Sequence, residues 1–464
     1  MSAHLRMEPE GLGASAFRER YGLRYAYVSG AMYKGIATAE LVIAMGQAGF
    51  MGFCGTGGVA LSRVERSIEH IQRQLGSDGA YGMNLLNNVV QPELEEETVD
   101  LYLKHEVPVV EASAYMTVSP ALARYRLKGL YRGADGQIVT PHRVVAKISR
   151  PEVAEAFMRP VDERTVHRLR EAGKITKAEA ELARFVPVAD DICVEADSGG
   201  HTDRGRLFAL LPGILALRER MMAENGFARP IHVGAAGGIG TPTAAAAAFV
   251  LGADFVTTGS INQCTVEAGI SDTVKDMLQQ MDVQDTDYAP AGDMFEIGAR
   301  VQVLRKGVLF PGRANKLYEL YSRHDSLEEI DARMREQIET KYFKRSFEDV
   351  WAETRAHYAR TAPDVLEKAE RSAKMKMALV FRWYFVHTTR LALEGDSAHK
   401  ADFQVHCGPA LGAFNQWVRG TELESWRNRR APELGTRIMQ AAAAHLNRLY
   451  STPSRAQPQQ VAAV

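Results

Sequence analysis

The glycine-rich stretch Ala236-Gly237-Gly238-Ile239-Gly240 ends one apolar run, and Gly259-Ser260 ends the next. Glycines at such ends let backbone N–H groups approach an anion. Thr241 is a good N-cap and Pro242 suits the first helical position, so a helix there aims free N–H groups and partial positive charge at the loop. The anion this implies is a terminal phosphate, gripped from both sides. The plain alternative is a pair of tight strand-to-helix turns. A dinucleotide fingerprint is disfavoured, because Gly234, Gly237, Gly238 and Gly240 do not give the GxGxxG spacing.

Other residues with chemistry lie at the ends of other apolar runs. Gly30-Ala31-Met32, with Gly35 soon after, makes a small-residue loop that could lie flat under a planar ring; an ordinary turn reads the same way. Asn84 in GMNLL is an amide among apolar neighbours, suited either to a ligand or to capping a loop. Lys147 in VVAKIS sits within an apolar run, so its ammonium is expected to face an anion or an electron-rich group unless it snorkels from an edge. Glu195-Ala196-Asp197-Ser198-Gly199-Gly200-His201 places an imidazole after two glycines, where it can reach a substrate unobstructed. A surface-loop histidine is the bland alternative.

These residues need a scaffold that brings strand ends together. Eight strand-like runs, at 25–30, 50–55, 81–86, 108–113, 144–149, 191–196, 230–235 and 254–259, alternate with segments of helical period. Alternation predicts a parallel sheet, and eight units close an α/β TIM (β/α)8 barrel, whose chemistry gathers at the C-terminal ends of its strands. Loops after strands 7 and 8 commonly hold phosphate in such barrels, which is where the two glycine stretches fall. A lead-in is expected over 1–23, the barrel over 24–304 with insertions at about 114–143 and 158–190, and a helical annex over 305–450. The tail from 451 to 464 reads as disordered.

The small first loop, GMNLL, the strand-5 lysine, SGGH, AAGGIGT and TTGS together resemble the flavin-dependent barrels of nitronate monooxygenases and bacterial enoyl reductases. DMFEIGARVQVLRKGVLFPGRANKLYELY (293–321) and CGPALGAFNQWVRGTELESWRNRRAPELGTRIMQ (407–440) resemble one branch, the PfaD-type trans-acting enoyl reductases of polyketide and polyunsaturated fatty acid synthases. The resemblance implies FMN as cofactor. Its 5′-phosphate would sit on Ala236, Gly237, Gly238, Gly259 and Ser260. Asn84, Lys147 and the Gly30–Met32 loop would contact ribityl or isoalloxazine, with Ser198 and Gly199 beside them. The family's polar strand-6 residue falls on Val194, which puts a flavin role for Glu195 in doubt. The resemblance further implies NADPH or NADH as hydride donor, an enoyl thioester on an acyl carrier protein as substrate, and His201 as the catalytic group that protonates the α-carbon or binds the thioester carbonyl. A nitronate monooxygenase, a catalytically silent synthase-associated binding protein and a non-flavin enzyme of a sugar phosphate are the competing readings.

Composition agrees with a barrel plus an appended part: 464 residues, 24% charged, formal net charge −1. That balance gives no whole-molecule attraction to nucleic acid or anionic lipid. No apolar run is long enough for a bilayer and the N-terminus lacks a signal-peptide core, so a cytoplasmic protein is expected. Cys54, Cys193, Cys264 and Cys407 are scattered without metal-ligand spacing; reduced thiols and no metal site are expected. Local basic clusters at Arg427, Arg429 and Arg430 and at Lys341, Lys344 and Arg345 are either solvated faces or a docking surface for an acidic carrier protein. A second copy of the chain, as a homodimer, is the other partner considered.

Overall fold

The computed structural model describes residues 6–76, 79–88 and 91–451; the expected tail beyond 451 lies outside them. Eight parallel strands close a barrel: β1 (Tyr27–Ser29), β2 (Met51–Cys54), β3 (Gly82–Leu86), β4 (Val109–Ser113), β5 (Arg143–Ile148), β6 (Asp191–Glu195), β7 (His232–Ala236) and β8 (Val256–Thr258). Each strand pairs with its sequence neighbour, and β8 returns to β1 through the register Tyr27 to Val256 and Ser29 to Thr258. The eight expected runs are these eight strands, offset by no more than a few residues.

Period-two alternation sends every second side chain inward. Val28, Phe53, Val109, Val145, Cys193 and Phe255 form an apolar cluster within the barrel, and a Cβ on Gly234 would lie 2.4 Å from the Phe255 ring. Large and small residues thus interlock to fill the interior. The lead-in supplies the floor. Helix Ser15–Tyr21 stacks Phe17 on Phe255 at 4.2 Å. Asp191, fully buried, receives Arg20 Nη1 at 2.9 Å, His232 Nδ1 at 2.7 Å and the Tyr21 hydroxyl.

Helices follow the strands as the outer wall, from Ala39–Gln47 after β1 to Pro242–Val250 after β7. The expected insertions contain a two-residue ribbon at Tyr131–Arg132 with Ile138–Val139 and the helices Glu163–Glu171 and Lys177–Leu182. After β8 the chain departs from the expected boundary at 304. An antiparallel ribbon, β9 (Thr286–Pro290) with β10 (Arg300–Leu304), joins helices Phe310–Arg323, Phe347–Thr361 and Ala373–Glu394 in a separate aromatic core running from Ala289 to Phe385. From Phe403 onward the chain returns to the barrel core. Its last helix, Ala431–Ser451, packs between Pro242–Val250 and Ala39–Gln47, with Gly435 against Tyr27 and Phe50. That helix is the eighth wall helix, so the annex is an insertion within the eighth unit. Polarity alone could not reveal this, because a wall helix and an annex helix share one amphipathic pattern. Among the described residues no helix is long and apolar enough to cross a membrane.

Candidate functional site

The two glycine stretches lie side by side. Ala236 of β7 pairs with Thr257 of β8, which brings the loops two residues beyond them into register. Gly237 and Gly238 have φ of 84° and 77°, the left-handed region that glycine adopts freely. Gly237 is packed, since a Cβ there would meet Ala196 O at 2.5 Å. At Gly238 and at Gly259 a Cβ would meet nothing within 4 Å, so these two backbones border open space. The Thr241 hydroxyl caps helix Pro242–Val250 by accepting from Ala244 N–H, with Pro242 in the first turn. Ser260 opens the short helix after β8, and its hydroxyl accepts from Gly408 N–H at 3.0 Å. A cradle of backbone donors with room above it fits a terminal phosphate, as FMN would supply.

Below the mouth the inward positions of β4, β5 and β6 carry ionisable groups. Lys147 Nζ lies 3.1 Å from Glu195 Oε1. Burial alone would lower the Lys147 pKa; the carboxylates of Glu195 and Glu111 outweigh it and raise it above the ordinary lysine range. Glu195 therefore faces the interior, whereas Val194 packs into the apolar cluster of the wall, so strand parity gives the inward position to Glu195. Glu111, 1% exposed, was missed in the sequence. Burial pushes its carboxyl up to about 7, against the pull of Lys147 and with the help of Glu195. Its Oε2 accepts from Ala31 N–H at 3.1 Å, which ties the first loop to the barrel interior. Asn84 donates to Glu111 O at 3.1 Å and to Ser113 Oγ at 2.9 Å. Met32 closes that loop against β2, where a Cβ on Gly55 would overlap Met32 O.

The β6 loop carries His201 over this floor. Asp197 anchors the loop: it accepts from Gln302 Nε2 at 2.7 Å, from Thr202 Oγ1 at 3.2 Å and from the Tyr288 hydroxyl. Ser198 Oγ accepts from Gly200 N–H at 3.3 Å. Gly199 is pressed against the returning segment, where a Cβ would meet Cys407 N at 3.0 Å. His201 Nε2 lies 3.0 Å from Asp293 Oδ1. Burial alone would lower the imidazole pKa, and the Asp293 carboxylate more than offsets it, so His201 titrates above the ordinary histidine value. A second imidazole, His406, donates through Nδ1 to Gly199 O at 3.1 Å and accepts at Nε2 from Gln404. Burial lowers its pKa and keeps it neutral. Tyr33 packs beside it, ring centroids 6.0 Å apart. Asp293 and Tyr33 lie in stretches singled out in the sequence, but nothing local marked these side chains, and only the fold brings them and His406 to His201.

The first basic cluster is not one continuous patch. Arg429 is fully buried, donating to Leu423 O, Glu424 O and Cys264 Sγ; Arg427 pairs with Asp276 and Arg430 with Glu267. Three charges adjacent in sequence thus serve separate structural contacts. In the second cluster Arg345 pairs with Glu353 and covers the Trp383 ring, and Lys344 lies 3.5 Å from Asp402.

Residues 21–306 match the family model of nitronate monooxygenase. The chain belongs to that family. Residues 324–403 match a second model, the inserted helical domain of [acyl-carrier-protein] S-malonyltransferase. Among solved structures it is similar to the enoyl reductase domain of MlnA from the macrolactin biosynthesis cluster of Bacillus amyloliquefaciens. The two share 46% identity over 95% of this chain and 99% of that one, with a TM-score of 0.91. It is 55% identical to the polyketide biosynthesis protein PksE of Bacillus subtilis over 96% of this chain and 59% of PksE. It is 45% identical to a polyunsaturated fatty acid synthase component of Thraustochytrium over 89% of this chain and 28% of that protein. The chain thus spans about three fifths or less of these curated relatives.

Proposed function

We propose that the protein is an FMN-dependent enoyl reductase, acting with NADPH or NADH on enoyl thioesters of an acyl carrier protein in polyketide or polyunsaturated fatty acid synthesis. The carrying observation is the open backbone cradle at Gly238 and Gly259 in register above Lys147, Glu195 and Glu111, with His201 on the neighbouring loop. Similarity to the MlnA enoyl reductase domain over nearly its whole length supports the reaction class. Similarity to a polyketide biosynthesis protein and to a polyunsaturated fatty acid synthase component supports the pathway class.

Gly237, Gly238, Gly259 and Ser260 would hold the phosphate through backbone N–H groups, while Asn84, Lys147 and the Gly30–Met32 loop would hold the ring and ribityl. FMN, when bound, supplies two-electron hydride chemistry. Lys147 would offer positive charge to the bound ring, and its pairing with Glu195 fixes the ammonium in place. Ser198 and Gly199 shape the rim that carries His201. The imidazole offers a proton at the α-carbon of the thioester, where enolate charge develops. His201→Ala is expected to retain bound flavin and to lose about a hundredfold or more in turnover of a carrier-bound crotonyl thioester, the usual scale for a general acid. Near-normal turnover would remove His201 from the mechanism.

A further inference from the structure

We propose that Asp293, carried by the inserted ribbon rather than by the barrel, is the positioning residue that orients His201 and keeps it charged as the proton donor. The role of proton donor rests on the enoyl reductase reading; the ion pair itself does not.

His201 follows Gly199 and Gly200, so its own loop offers little to fix the imidazole. Its Nε2 is held at 3.0 Å by Asp293 Oδ1, and among the described residues its Nδ1 has no partner. Asp293 lies in the short turn Gly292–Met294 that connects β9 to β10. That turn is seated on the annex core: a Cβ on Gly292 would come within 2.7 Å of Phe385 Cβ, and Phe295 packs against the Phe385 ring with centroids 5.4 Å apart. The histidine's loop is anchored to the same ribbon, because Asp197 accepts from Tyr288 of β9 and Gln302 of β10. Both members of the pair therefore hang on one ribbon, and the annex completes the barrel's acid.

Three charged groups bear on the state of His201. Asp293 and Glu195 favour imidazolium and Lys147 opposes it. His406, neutral and committed through Nδ1 to Gly199 O, adds no positive charge. Tyr33, neutral at physiological pH, packs against His406. With Nε2–H donated to Asp293, the proton available for transfer is on Nδ1. The Nδ1–H bond breaks as the enolate carbon's electron pair forms the new C–H bond, leaving a neutral imidazole still bonded to Asp293. Solvent returns the proton.

The test is a pH titration of the histidine ring signals by 15N-edited NMR in the full-length, FMN-loaded chain, with kcat and KM measured on the same samples. In the parent protein His201 is expected to titrate above the ordinary value of about 6.5. In Asp293→Asn it is expected to fall by about one unit or more, the scale for losing an adjacent opposite charge. The alkaline limb of kcat should move by the same interval, with KM and flavin content unchanged, and Asp293→Glu should restore both. A parent His201 titrating at or below the ordinary value, or an Asn variant with an unmoved titration, overturns the proposal. The NMR readout needs no turnover: a chain that reduces no enoyl thioester would sink the enoyl reductase reading and the donor role, while the titration would still report on the Asp293 pair.

Discussion

A carboxylate placed at Gly259 tests the phosphate cradle. The backbone there has φ of −130°, outside the left-handed region that favours glycine, and a Cβ would meet no atom within 4 Å. Gly238 borders the same space, but its φ of 77° would add conformational strain to any substitution. Two variants should be compared: Gly259→Asp adds charge, and Gly259→Asn adds the same volume without it. At an effective dielectric of about 20, two unit charges about 5 Å apart repel by about 3 kcal/mol. Each 1.4 kcal/mol is a factor of ten in affinity. The Asp variant should therefore bind FMN at least about a hundredfold more weakly than the Asn variant, and the gap should narrow in high salt. The assay is quenching of FMN fluorescence on titration with apoprotein at two ionic strengths. Equal affinity of the two variants, or full retention of FMN by Gly259→Asp, would refute the phosphate assignment even if the fold is intact.

Glu111 carries a pH signature. Its folded-state value of about 7 stands above the ordinary 4.5, so between these pH values the folded chain binds more protons than the unfolded one. Stability of the apoprotein should then fall as pH rises from about 4.5 to 7, by about 3 kcal/mol for this group, and Glu111→Gln should flatten that slope in denaturant titrations; an unchanged slope would reject the assignment. On the barrel floor, Asp191→Asn removes the buried carboxylate that pairs with Arg20 and holds the His232 ring. A loss of about 3–5 kcal/mol is expected, read as a lowered melting temperature with flavin affinity retained. A loss below about 1 kcal/mol would contradict the role given to Asp191 in the barrel floor.

Some of this was legible in the sequence because the physics is local. The eight apolar runs between amphipathic helices define a closed barrel, and Thr241-Pro242 after a glycine run marks a helix N-terminus whatever surrounds it. Lys147 stood out as a charge within an apolar strand. The same argument applied to Glu111 in PVVEAS and would have found it. Parity along β6 could likewise have distinguished Glu195, which faces inward, from Val194. Other features had no local signal. Asp293 and His406 are ordinary residues until the ribbon and the returning segment bring them to His201. The basic run at Arg427–Arg430 read as surface charge because nothing local shows that Arg429 is enclosed by Leu423, Glu424 and Cys264. The final helix reads as annex by position, yet it fills the gap in the barrel wall left by the long excursion after β8.

The most direct measurement is an anaerobic visible spectrum of the purified full-length chain loaded with FMN, followed through two additions. NADPH or NADH should bleach the flavin band, and one equivalent of carrier-bound crotonyl thioester should restore it, with the saturated thioester as product. Failure to bind FMN, or a bleached flavin that oxygen reoxidises while the enoyl thioester leaves it unchanged, would contradict the account.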